Sequence, residues 1–131
     1  MYKPTEILVE RGEENAQVVI RATGMLPDVP VRIVDRNWER TETGPKQVTD
    51  FGNGKRRLLF MRQRTSFLDH CPAGGTGVVC CNYLVASLIS NCPMDCSYCF
   101  LQEYLANNPL LKVFTNVGDL LTELAKVVDR Q

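Results

Sequence analysis

The stretch Leu111-Lys112-Val113-Phe114-Thr115-Asn116-Val117-Gly118-Asp119-Leu120-Leu121-Thr122-Glu123-Leu124-Ala125-Lys126-Val127-Val128 changes its hydrophobic period part-way along, and that change decides the fold class. Its first five residues are a short apolar run of strand type. From Val117 onward, apolar side chains fall at 117, 120, 121, 124, 127 and 128, one continuous stripe at helical spacing. Asn116 stands where it caps such a helix, with Asp119 at the third helical position to return a bond. The stretch therefore predicts a strand that passes into a core-facing amphipathic helix.

Upstream, Tyr83-Leu84-Val85-Ala86-Ser87-Leu88-Ile89 is an apolar run of strand length and predicts a strand buried on both faces. A loop opening at Ser90-Asn91 separates the two strands. Strand, loop, strand, helix in this order is the opening of an α/β architecture. A complete eight-stranded α/β barrel takes about 250 residues, and this chain has 131. The expectation is the opening portion of a partial (β/α) barrel in a truncated chain, a fragment that need not act alone.

Residues 1–60 read as a small β-rich N-terminal segment. Gln17-Val18-Val19-Ile20-Arg21 and Val31-Arg32-Ile33-Val34 are β-branched runs separated by Pro27, Asp28 and Pro30, which predicts two strands joined by a turn. Glu42-Thr43-Gly44-Pro45 and Gly52-Asn53-Gly54 are further turn signals. Residues 61–131 form the second region and hold every cysteine and the single histidine, His70.

Fifteen basic and fifteen acidic side chains cancel, so the overall charge gives no argument for nucleic acid or an anionic membrane. Met1-Tyr2-Lys3-Pro4-Thr5-Glu6 lacks the apolar core of a signal peptide. The most apolar stretch, Gly77 to Ile89, is too short to span a bilayer and is interrupted by Asn82. These features predict a cytoplasmic protein with no membrane partner. Thiols stay reduced there, so six cysteines read as metal ligands or redox groups rather than disulfides.

Cys92-Pro93-Met94-Asp95-Cys96-Ser97-Tyr98-Cys99 has the spacing C-x3-C-x2-C. Iron–sulfur clusters are held by cysteine thiolates, normally four. A loop with these gaps wraps three thiolates around three corners of a cubane and leaves one iron open, as catalytic zinc keeps one position free. Three other readings stay open on the residues alone. One is a structural zinc site, although only Cys96 and Cys99 have knuckle spacing. Another is a four-cysteine electron-transfer cluster drawing on Cys71, Cys80 or Cys81. The third is a set of buried structural thiols, the natural reading of Cys71, Cys80 and Cys81. A non-enzymatic metal-binding or interaction module follows from the first of these.

C-x3-C-x2-C with an aromatic residue before the last cysteine resembles the signature of the radical S-adenosylmethionine (SAM) superfamily. Ser66-Phe67-Leu68, Cys71-Pro72-Ala73-Gly74, Cys80-Cys81 and Asn91 through Gln102 resemble the spore photoproduct lyase family over roughly residues 60–128. The resemblance implies a radical SAM lyase with a [4Fe–4S] cluster on Cys92, Cys96 and Cys99 and SAM on the fourth iron. It implies that Tyr98 lies near the SAM adenine and the radical path. It further implies repair of thymine lesions in DNA, an electron donor such as a flavodoxin or ferredoxin, and a lesion that leaves the base stack. One position departs from the pattern. Where spore-forming members carry a tyrosine directly after the third cysteine, this chain has Phe100, which has no phenolic hydrogen to give. The family's hydrogen-donating cysteine falls beyond residue 131. A related radical reaction on another substrate is therefore the alternative.

Lys55, Arg56, Arg57, Arg62 and Arg64 form a basic cluster that reads either as a phosphate contact or as a solvated surface around Leu58-Leu59-Phe60. Trp38 offers a ring for stacking a base, and His70 a lone imidazole that more often packs than reacts.

Overall fold

The computed structural model describes residues 2–38, 51–70, 77, 83–94, 96–105 and 108–129, without the side chains of 51, 52, 101 and 102. Three apolar residues between two glutamates, Glu6–Glu10, form β1, and Gln17–Met25 form α1. Val31–Val34 form β2, Phe51–Lys55 a short helix α2 and Arg57–Met61 strand β3. Then come β4 (Leu68–His70), β5 (Leu84–Ala86), β6 (Ile89–Ser90), α3 (Leu101–Tyr104), β7 (Leu111–Phe114) and α4 (Val117–Val128). No described helix is long and apolar enough to cross a membrane.

The α/β class expected from the sequence is observed. Five strands form one sheet in the order β2-β1-β3-β7-β6. β1 pairs in parallel with β2 and β3, and β3 in parallel with β7; only β6 runs antiparallel to its neighbour β7. A parallel pair needs a crossover, and α1 supplies it between β1 and β2. This corrects the reading of residues 17–21 as a strand. Val18-Val19-Ile20 prefers a pleated surface, yet the crossover requirement outweighs that preference. Only Val19 of the three is fully buried, while Ala16, Val18 and Ala22 pack against the same core.

β1 and β3 are the centre of the fold. Ile7, Leu8 and Val9 and also Leu58, Leu59 and Phe60 are buried, because both faces of a parallel sheet are covered. Leu58-Leu59-Phe60 is thus the middle of the sheet and not the floor of a solvated basic surface. Gly52-Asn53-Gly54, expected as a turn, lies within α2. Glu42-Thr43-Gly44-Pro45 lies outside the described residues.

The run from Tyr83 to Ile89 is not one buried strand. It divides into β5, which pairs antiparallel with β4 in a separate two-stranded sheet, and β6, at the edge of the main sheet. Tyr83, Leu84, Val85 and Ile89 are exposed.

Contacts divide the chain into two units. One comprises Met1–Arg62 with Ile89–Thr115, and the other Gln63–Leu88 with Asn116–Gln131. Both buried apolar clusters belong to the first unit. In the second, α4 forms where its period predicts, but its stripe does not face a core along its length: Leu120 is buried, whereas Val117, Leu121, Leu124 and Val128 are exposed. Asn116 occupies the capping position without capping by its side chain. Its Oδ1 instead accepts from Gln63 N at 2.8 Å, and its Nδ2 donates to Gln63 O at 3.0 Å and to Asp119 Oδ2 at 2.6 Å.

Candidate functional site

The three cysteines of the C-x3-C-x2-C motif sit in a turn-rich loop between β6 and α3, free of helix and strand ladders. All three cysteines are of intermediate burial. Cys99 N donates to Cys96 O at 3.2 Å, which closes the tighter of the two gaps into a turn. Among the described residues, no group of three or more His, Cys, Asp or Glu side chains is gathered closely enough to hold a single metal ion. The donor set itself suits an iron–sulfur cluster, since thiolates are its usual ligands and each cysteine would serve a different iron.

The loop is tied at two points, to the segment before β7 and to the end of α2. At its start, Asn91 adopts a left-handed conformation with φ 75°, which asparagine tolerates better than other non-glycine residues. Its Oδ1 accepts from Cys92 N at 2.7 Å, and its Nδ2 donates to Pro109 O at 2.7 Å. In mid-loop, the carbonyl of Met94 accepts from Lys55 Nζ. Lys55 is only 2% exposed, at the end of α2. Its own carbonyl accepts from Tyr2 Oη at 2.7 Å, and partial burial pushes the Tyr2 phenol up to about 12. Gly54 lies against Pro109 so closely that a Cβ there would collide with the proline ring.

Beyond the cysteines the surface is aromatic. Tyr98 is 89% exposed in the turn before Cys99. Phe100 and Tyr104, one helical turn apart and also exposed, stack with ring centroids 6.3 Å apart. Tyr104 was not singled out in the sequence, although its i,i+4 spacing from Phe100 is the available signal.

The basic cluster is not one phosphate-binding patch. Lys55 is buried in the cysteine loop's anchor, which corrects its reading as a surface cation. The Arg57 guanidinium pairs with Glu6 at 3.1 Å and lies 5.0 Å from the centre of the Trp38 ring. Arg32 makes the same two contacts, 3.1 Å from Glu6 and 5.3 Å from the ring. Trp38 therefore already stacks two cations on its ring, a role in sheet packing rather than base stacking. Arg62 reaches Glu13 at 3.9 Å, and Arg56, Arg62 and Arg64 are exposed. His70 is exposed on β4. Cys71, Cys80 and Cys81 lie outside the described residues.

In the second unit, one Glu123 oxygen accepts from Ser66 Oγ, Phe67 N and Leu68 N at 2.8, 2.9 and 3.2 Å. These bonds, the serine's foremost, hold its carboxyl below the ordinary range. Glu123 thus fastens Ser66-Phe67-Leu68 to α4. Nothing in the sequence around Glu123 signals this contact.

No family model matches the chain. Its sequence is 24% identical over 95 residues to spore photoproduct lyase of a Geobacillus species, covering 72% of this chain and 26% of that protein. Its fold matches solved spore photoproduct lyase structures. The complex with dinucleoside spore photoproduct superposes with a TM-score of 0.72 at 20% identity, over 99% of this chain and 37% of that one. A variant with bound AdoMet and the same dinucleoside matches with a TM-score of 0.70 at 16% identity, over the same shares of the two chains. The chain spans between a quarter and two fifths of the length of these relatives. Both comparisons lead to spore photoproduct lyase, a radical SAM family, so the resemblance drawn from the cysteine motif and its surroundings holds in sequence and in fold.

Proposed function

We propose that this chain, similar in sequence and fold to spore photoproduct lyase, is the cluster-bearing part of a cytoplasmic radical SAM enzyme that repairs thymine lesions in DNA. The observation that carries the reading is the set of three partly buried cysteines at C-x3-C-x2-C spacing, on one loop anchored to Lys55 and Pro109. Cys92, Cys96 and Cys99 would each hold one iron of a [4Fe–4S] cluster, leaving one iron for SAM. Bound there and reduced by a donor such as a flavodoxin or ferredoxin, cluster and SAM would supply one-electron radical chemistry. The chain's own part is to hold and orient. Asn91 and Lys55 position the loop, and Tyr98 and its aromatic neighbours offer exposed faces to an adenine or a flipped base. The relatives' substrate, a dinucleoside spore photoproduct, supports a nucleic-acid lesion as target.

The opening portion of a radical SAM barrel remains part of this reading. A parallel sheet whose β7 leads into α4 is consistent with it.

Anaerobic reconstitution tests the proposal. About four irons and four sulfides per chain, with a spectroscopic change on adding SAM, are expected. One tightly held zinc without sulfide would replace the enzyme by a metal-binding module. Phe100 favours a second reading, radical chemistry on another substrate. Incubation with dinucleoside spore photoproduct, SAM and a reductant separates the two. Thymine release supports repair, and 5′-deoxyadenosine without thymine supports the alternative.

A further inference from the structure

Lysine normally keeps its ammonium in water while burying its stem. Lys55 does not: it is 2% exposed and donates to the Met94 carbonyl, midway between Cys92 and Cys96. Both sides of that contact are braced. On the lysine side, Tyr2 Oη donates to the Lys55 carbonyl at 2.7 Å, and Gly54 permits contact with Pro109 that a side chain would block. On the loop side, Asn91 Nδ2 donates to the Pro109 carbonyl at 2.7 Å, so the same proline meets both anchors. Holding a charge in such a place is costly unless polar or opposite-charge groups compensate.

We infer that Lys55 is a positioning residue of the cysteine loop: it fixes the Met94 carbonyl and brings a buried positive charge to the loop that carries the three cysteines. The electrostatic half of this inference rests on the iron–sulfur reading above. A cubane bound by three thiolates is net negative, so a nearby ammonium favours the reduced state and raises the reduction potential.

Lys55→Met keeps the stem and removes donor and charge, while Lys55→Arg keeps the charge. In the cluster-free chain, amide hydrogen exchange over residues 92–99 is expected to quicken roughly tenfold or more in Lys55→Met, the effect of losing one charge-assisted hydrogen bond. Exchange in β1 and β3 should stay as in the parent, and Lys55→Arg should restore much of the loop's protection. Unchanged loop exchange in Lys55→Met overturns the anchor. If that variant does not fold, Lys55→Gln, with a shorter neutral donor, serves the same comparison. After reconstitution, Lys55→Met should show a lower cluster potential than the parent, with Lys55→Arg close to it. Equal potentials in all three overturn the electrostatic half. A parent chain that assembles no cluster sinks the iron–sulfur reading, and the exchange comparison still decides the anchor.

Discussion

Cys92, Cys96 and Cys99 share a turn-rich loop, and under the proposed ligation this loop would contribute sulfur chemistry rather than folding energy. Replacing any one of them by alanine should therefore abolish cluster assembly and SAM cleavage while leaving the far-ultraviolet circular dichroism of the chain intact. A variant that keeps its full iron, sulfide and SAM-cleaving activity would refute the assignment of that cysteine. Glu123 gives a pH-dependent counterpart. Its carboxyl is held below the ordinary range by Ser66 and two backbone amides. The unfolded chain thus binds its proton more readily than the folded one, and the stabilisation is complete above the ordinary carboxylate range. It is lost as pH falls through the lowered folded value. Glu123→Gln should flatten that part of the acid-unfolding curve; an identical curve would show that the three hydrogen bonds contribute nothing.

Secondary-structure elements show where local preference and tertiary demand part. α4 forms where its period places it, with Leu120 buried at 5% exposure and Leu121 open at 62%. Leu120→Ala should cost about 2–5 kcal/mol if its site behaves as an ordinary core position, and Leu121→Ala within about 0.5 kcal/mol. Chemical denaturation of the two variants measures both; equal losses would mean that the stripe is buried along its whole length. α1 is the opposite case. Val18-Val19-Ile20 favours a strand by residue type, yet it lies on the crossover between parallel β1 and β2. The β-branched side chains lose some rotamer freedom in the helix, and packing Val19 on the sheet outweighs that loss.

At the scale of the molecule, burial is uneven. Of the buried apolar residues, Phe67 and Leu120 alone belong to the second unit among the described residues. Opening energies follow buried contact. Native-state hydrogen exchange should thus find the slowest amides in β1, β3 and β7, with β4, β5 and α4 exchanging faster. Equal protection in both units would contradict this.

The motif residues, the strand-to-helix change of period at 111–128 and the α/β class were legible in the residues themselves, because spacing and period are properties of the chain. The fates of Lys55, Arg57 and Trp38 were not. A basic side chain looks the same in sequence whether it faces water, an acid on the next strand or a loop carbonyl 39 positions away. Strand order had to place Glu6 between Arg32 and Arg57, and the sheet had to bring α2 to the cysteine loop, before those charges had partners. Local chemistry is written in neighbouring residues, whereas burial and pairing come from contacts that exist only once distant segments meet.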